Sequence, residues 1–229
     1  MLDKTYLDKR WSKYKLGKIS WTEHVHPSKN VFINLIQDNI NSIKSVLEVG
    51  PAEMVEYQEI IKCRPIDYTI LDISTLFLNT CKEKFPEVKT IHGIMEEPID
   101  GQFDLVYGSR VLEHSHNVGL AIKNLITSAK YFCFIMFKWA WMGDLESTMI
   151  ISQTTKMNYY SSYFNIQLLL NEISSHGKIN FCQVCHSVTG KLMPLIEFYK
   201  TSADKGNSIV NRTGDYLIII GENNGQPNQ

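Results

Sequence analysis

The sequence has no uninterrupted apolar run long enough for a membrane, no excess of either charge, and no cysteine framework. Its longest strongly apolar stretch, near Tyr131 to Met142, is broken by Lys138 and is too short to span a bilayer. Net charge at pH 7 is −1. A protein built around phosphate backbones needs a basic excess, so nucleic acid is not the expected partner. The first residues, Met1-Leu2-Asp3-Lys4-Thr5-Tyr6, contain no apolar signal region, and export is not expected. Cys63, Cys81, Cys133, Cys182 and Cys185 make an odd set without disulfide-framework spacing. Reduced thiols and a cytoplasmic location are the expectation. No internal repeat is visible, which excludes a solenoid.

What is present is an ordinary globular composition. At 229 residues, with 44% hydrophobic and 21% charged, the chain fits one domain with insertions. The first 42 residues precede any strand signal. Lys4, Lys9, Arg10, Lys13, Lys15 and Lys18 interleave there with Trp11, Tyr14 and Trp21, as in a substrate-covering arm or an amphipathic helix with solvated lysines. Val31, Phe32, Leu35, Ile36 and Ile40 then recur at helical spacing.

Strand and helix patterns alternate after that. Strands are expected at Ser45 to Val49, Tyr68 to Leu71, Val88 to His92, Phe103 to Tyr107 and Tyr131 to Phe137. Ser74 and Asn165 are placed to cap helices, and Gly177 to stop one. Lys138 to Tyr163 reads as an irregular connection rich in large side chains. Late strands are expected at Ile179 to Val188, Leu195 to Tyr199 and Tyr216 to Ile220. The pattern predicts a Rossmann-like, doubly wound α/β fold: a mostly parallel seven-stranded sheet with one antiparallel strand near an edge. The expected division is an N-terminal helical lid or substrate arm (1–42), a main domain (43–221) with a substrate-covering insertion (138–163), and a disordered tail (222–229).

The densest signal is Val46-Leu47-Glu48-Val49-Gly50-Pro51-Ala52-Glu53-Met54, an apolar strand ending in an acid, a glycine and a turn into a helix. A second apolar run ends at Asp72, a third at Gly93, and Phe103-Asp104-Leu105-Val106 leads through Ser109 and Arg110 to Val111-Leu112-Glu113-His114. In order and spacing these four stretches resemble the motifs of class I S-adenosylmethionine (SAM)-dependent methyltransferases of the small-molecule branch. The resemblance covers about Ser45 to Gly221. It departs at the turn, where the family has three glycines and this chain has Gly50, Ala52 and Met54, and after Gly93, where Ile94 stands for an acid.

The resemblance implies a SAM cofactor and a set of positions for it. Glu48 would serve the ammonium group and Gly50, Ala52 and Met54 the methionine end. Asp72 would take the ribose hydroxyls. Ile73, Gly93, Ile94 and Met95 would flank the adenine, with Ser109 nearby. His114 and His116 follow the fourth strand and are candidate bases. Arg110 is a candidate clamp for an anionic substrate group. Trp139, Trp141, Tyr159, Tyr160 and Tyr163 are candidates for an aromatic substrate wall. The expected activity is methyl transfer to a hydroxyl or amine of a small molecule such as a sugar, lipid or natural-product intermediate. The alternative is a non-catalytic methyltransferase-like subunit that supports a partner protein. No metal is expected. Arg110 occupies the first acid position of a Glu-x-x-Glu-His metal pattern, and Cys182-x-x-Cys185-His186 reads as part of a strand. Oligomeric state is left open.

Overall fold

The computed structural model describes residues 27–39, 41–51, 54–62, 65–137, 139–141, 149–156, 159–187, 189–198, 209–210 and 215–225. The elements run α1 (Pro27–Asp38), β1 (Ser45–Val49), α2 (Val55–Ile60), β2 (Asp67–Asp72), α3 (Thr75–Lys84), β3 (Lys89–His92) and β4 (Phe103–Ser109). A 3-10 turn (Leu112–His114), α4 (Val118–Thr127), β5 (Ala129–Met136), β6 (Trp139–Trp141), β7 (Ile150–Lys156) and β8 (Tyr159–Asn165) follow. The chain continues through α5 (Ile166–His176), β9 (Gly177–Cys185), β10 (Leu192–Pro194), β11 (Ile209–Val210) and β12 (Tyr216–Asn223).

Local chemistry explains several boundaries. Pro27, whose missing N–H costs nothing at a first helical position, opens α1. Ser74 caps α3 by accepting from the Phe77 amide at 3.2 Å, and Asn165 caps α5 by accepting from Gln167 at 3.1 Å. At Gly177 a Cβ would lie 2.7 Å from Phe132 and 2.8 Å from the Glu222 carbonyl, so only glycine fits where α5 turns into β9.

The main sheet has eight strands in the order β10-β9-β12-β5-β4-β1-β2-β3. The run β3-β2-β1-β4-β5 is parallel. β12 lies antiparallel between β5 and β9, and β10 adds an antiparallel edge strand. The doubly wound, mostly parallel sheet expected from the sequence is present, with β10 as an eighth strand.

Alternate residues of each strand face opposite sides of the sheet. One side packs Leu47, Val49, Val106, Phe132, Phe134, Leu217 and Ile219 against α4 and α5. The other packs Val46, Tyr68, Ile70, Leu105, Tyr107, Cys133 and Ile135 against α1, α2 and α3. Phe32 of α1 stacks on Tyr107, with ring centroids 3.6 Å apart and planes 6° from parallel. Among the described residues no helix is long and apolar enough to cross a membrane.

Three expectations are corrected. The stretch read as irregular after the fifth strand contains strands: β6, β7 and β8 join β11 in a second sheet, ordered β11-β6-β8-β7. Leu195 to Tyr199, read as a strand, is helical over 195–198, and Tyr199 lies outside the described residues. Pro194 ends β10 there, and its missing donor suits an edge strand that stops. The last strand runs beyond Gly221: Glu222 and Asn223, expected in the tail, pair with Lys178 and Gly177. Of the expected arm, residues 1–26 lie outside the described set, as do 226–229 of the tail.

Candidate functional site

Strand order reverses between β1 and β4, and the carboxyl ends of β3, β2, β1 and β4 stand side by side there. In open α/β sheets ligands bind at such a switch point. Glu48, Gly50, Asp72, Ile73, Gly93, Ile94, Met95, Ser109 and Arg110 all fall on those ends or in the loops that leave them.

The turn after β1 is tight. The Gly50 amide donates to the Leu71 carbonyl at 2.9 Å, tying β1 to β2. Gly50 has φ +60°, and a Cβ on it would sit 2.7 Å from a Val111 methyl. The other Val111 methyl would meet a Cβ on Gly108 at 2.9 Å. Val111 thus wedges over the ends of β1 and β4, and both glycines are needed beneath it. Met54, at the third glycine position of the motif, has φ 55° and ψ 39°. Its backbone keeps the left-handed conformation that glycine adopts without penalty. Its side chain is fully buried with the α1–α3 core. Ala52 lies outside the described residues.

A polar network underlies this turn. Glu48 shares the α1–α3 side with Val46 and is 3% exposed. Its carboxylate accepts from the Tyr68 hydroxyl at 2.8 Å. Glu56, in the first turn of α2 and 2% exposed, accepts from the Tyr107 hydroxyl at 3.1 Å. Burial first, and then the charges of Glu48 and Glu56, push both phenols well above their ordinary pKa. Both stay protonated donors.

Asp72 ends β2 and is buried, and one carboxylate oxygen accepts from the Ser74 amide at 2.8 Å. The Gly93 amide donates to the Asp72 carbonyl at 3.2 Å, which joins the ends of β2 and β3. Ile73 and Ile94 are half-buried, while Met95 belongs to the core on the α4–α5 side.

Glu96 is not among the residues that the motifs single out. It is buried in the loop after β3, and its Oε1 accepts from Ser115 Oγ at 2.7 Å and from the His116 amide at 3.0 Å. The same oxygen is 2.9 Å from His116 Nδ1. In a neutral His116 ring that contact leaves the lone pair on Nε2. His114 closes the 3-10 turn and is half-buried. Its amide donates to Val111 at 2.9 Å.

The expected substrate residues divide. Arg110 has φ 57° and hydrogen-bonds Tyr216 at the start of β12, pulling down a hydroxyl pKa that burial raises more strongly. Its amide donates to Ile135 at 2.7 Å. Trp139 is fully buried, and its indole donates to the Asp215 carbonyl at 3.3 Å. It stands in the core rather than on an open wall. Tyr163 is half-buried on β8, which packs against the turn carrying His114. Trp141, Tyr159 and Tyr160 contribute backbone pairs to the second sheet, and their side chains lie outside the described set.

Among the described residues no group of His, Cys, Asp and Glu could hold a metal ion. Cys182 packs on the α4–α5 side of β9 and Cys185 on the other, so the pair cannot converge on one ligand. Burial pushes the Cys182 thiol up to about 12.

No family model matches the sequence, and no curated protein does. Solved structures do match in fold. A Burkholderia thailandensis 1,6-didemethyltoxoflavin-N1-methyltransferase, with 1,6-didemethyltoxoflavin and S-adenosylhomocysteine bound, is 13% identical with a TM-score of 0.62, covering 94% of this chain and 86% of that one. A Clostridium acetobutylicum SAM-dependent methyltransferase is 9% identical with a TM-score of 0.60, covering 96% and 99%. The N-methyltransferase NodS of Bradyrhizobium japonicum, in complex with S-adenosylhomocysteine, is 10% identical with a TM-score of 0.56, covering 90% and 92%. At such identities the likeness is one of fold. The chain has the fold of the class I SAM-dependent methyltransferases, as its motifs imply.

Proposed function

We propose that this chain is a SAM-dependent methyltransferase that methylates a hydroxyl or amine of a small molecule. The observation that carries the reading is the turn after β1. Gly50 and Met54 both hold left-handed backbone conformations, although only one is glycine. A non-glycine residue in that conformation stores roughly 1–2 kcal/mol of strain. Such strain persists where a surrounding structure demands the shape, and Met54 holds it beside the switch point.

The residues present fit the cofactor. The turn into α2 would receive the methionine end, with Glu48 behind it. Asp72, held in place by Ser74, would take the ribose hydroxyls. Ile73, Ile94 and Met95 would flank the adenine. Bound SAM supplies a methyl group already activated on a sulfonium. The protein then has to orient an acceptor and take its proton. His116, oriented by Glu96, and His114 in the adjoining turn are the candidate bases. Arg110 would meet an anionic part of the substrate. The second sheet, with Tyr163, and the N-terminal arm would cover it.

Calorimetry with S-adenosylhomocysteine tests the reading. The expected result is binding by the intact chain, weakened at least about tenfold in Asp72→Ala, which removes a charge-assisted acceptor. Absence of binding by the intact chain sinks the proposal and leaves the non-catalytic subunit. Equal affinity in Asp72→Ala removes the ribose assignment.

A further inference from the structure

Glu96 ties the loop after β3 to the loop after the 3-10 turn through one oxygen. Its Oε1 meets Ser115 Oγ at 2.7 Å, the His116 amide at 3.0 Å and His116 Nδ1 at 2.9 Å. A backbone amide can only donate. The Asn117 amide donates to Ser115 Oγ at 3.2 Å, so the serine accepts from one neighbour and gives its own proton to Glu96. With those two donors aimed at it, Oε1 has no room for a proton of its own. Whether the carboxyl is ionised or carries a proton on Oε2, Oε1 is an acceptor, and His116 Nδ1 donates to it. In the neutral ring the lone pair is then on Nε2.

Glu96 Oε2 is buried and has no hydrogen-bond partner among the described residues, so nothing there draws the carboxyl away from His116. A buried oxygen left unpaired is not what stability alone would select. The Glu96 side chain is 4% exposed and that of His116 40%, so a buried anchor holds a ring that stays within reach of a ligand. A general base needs that combination, with its orientation set by a third group. We infer that Glu96 is a positioning residue which fixes the proton of the neutral His116 ring on Nδ1, so that of the two candidate bases His116 takes the acceptor's proton, at Nε2. This rests on the methyltransferase reading above. The acceptor's lone pair forms the bond to the methyl carbon, the electrons of the broken carbon–sulfur bond stay on sulfur, and the acceptor's proton passes to Nε2. The imidazolium so formed keeps its Nδ1 proton on Glu96.

The test reads the ring nitrogens of His116 by nitrogen-15 NMR of the histidine-labelled full chain, at a pH where the ring is neutral. His116→Gln identifies its signals. In the wild type the form protonated on Nδ1 should exceed the other at least about tenfold. Glu96→Ala removes the acceptor and should lower that ratio about tenfold, the scale of one buried hydrogen bond. Glu96→Gln keeps an amide oxygen to accept from Nδ1 and should restore the ratio. Added S-adenosylhomocysteine should move the Nε2 signal of the wild type, because the base stands beside the reacting sulfur. By calorimetry both Glu96 variants should bind S-adenosylhomocysteine within about twofold of wild type, which also reports that they are folded. A wild-type ring protonated on Nε2, or an unchanged ratio in Glu96→Ala, overturns the inference. Loss of S-adenosylhomocysteine binding in either variant overturns it in favour of a structural role for Glu96. Bound S-adenosylhomocysteine that leaves the His116 signals unmoved overturns the assignment of the base. A wild-type chain that shows the expected ring but binds no S-adenosylhomocysteine overturns the methyltransferase reading, and the role of His116 as base falls with it.

Discussion

The two sides of the main sheet share one backbone and differ in content. Against α4 and α5 the sheet presents Leu47, Val49, Val106, Phe132, Phe134, Leu217 and Ile219, and the packing there is almost wholly aliphatic and aromatic. Against α1, α2 and α3 it presents Glu48, Tyr68 and Tyr107 as well, and α2 answers with Glu56. Burying an acid beside another acid is unfavourable unless hydrogen bonds compensate it. The first side is what a stable sheet requires. The second holds groups that stability alone would not select, and it holds them directly under the β1 turn. Apolar packing and the buried polar network are therefore divided between opposite sides of the same strands.

Substitutions at three positions break or sharpen that contrast. The largest effect belongs to the apolar side. Phe132 is fully buried and lies 5.3 Å from the Phe134 ring. Phe132→Ala should destabilise by about 3–5 kcal/mol, the usual range for a buried aromatic, and a denaturant titration will measure it. A smaller effect is expected across the sheet. Tyr68→Phe keeps the ring and takes one buried donor from Glu48, which should cost about 1–3 kcal/mol. A loss as large as that of Phe132→Ala would show that the polar network carries the fold, and the contrast would fail. The smallest effect concerns Met54. Glycine normally destabilises relative to alanine, but at φ 55° the order should invert. Met54→Gly should be more stable than Met54→Ala by about 1 kcal/mol in paired thermal melts. Equal stabilities would mean that the turn relaxes once the side chain is gone.

The sequence made the apolar side legible and the polar side only partly so. β1 falls where its apolar run predicts, and β5 was expected from an almost unbroken apolar stretch. Ser74, Asn165 and Gly177 act at the helix ends where their side chains, or the lack of one, suit them. Glu48, Asp72 and Gly93 could be placed because each stands at or next to the end of a strand. Glu56 and Tyr107 gave no such signal. One looks like an ordinary first-turn acid and the other like one more apolar strand residue. Only the crossing of α2 over β4 brings them together. Glu96 gave no signal of its partners either, since Ser115 and His116 come from the next loop.

The second sheet was invisible for a different reason. Ile150–Lys156 is largely polar, and the two residues before Tyr159 are Met157 and Asn158, not a glycine-bearing hairpin pair. A polar strand joined to its partner by two residues without glycine carries neither of the signals by which hairpins are recognised. The large aromatics around it drew attention to substrate contacts, and Trp139 turns out to fill the core.

The Val111 wedge has a consequence for how this chain can change over generations. Its two methyls stand over Gly50 and Gly108, which belong to different strands. A bulkier residue at 111, or any side chain at 108, has no room unless the opposite position shrinks, and Gly50 is constrained twice, by its φ of +60° and by the Val111 methyl 2.7 Å from where a Cβ would stand. Positions 108 and 111 are thus expected to drift as a pair across descendants of this sequence, with position 50 as the fixed member of the three. The mouth of the site can be remodelled only by coordinated substitutions, so its shape should outlast far larger changes in the strands below it.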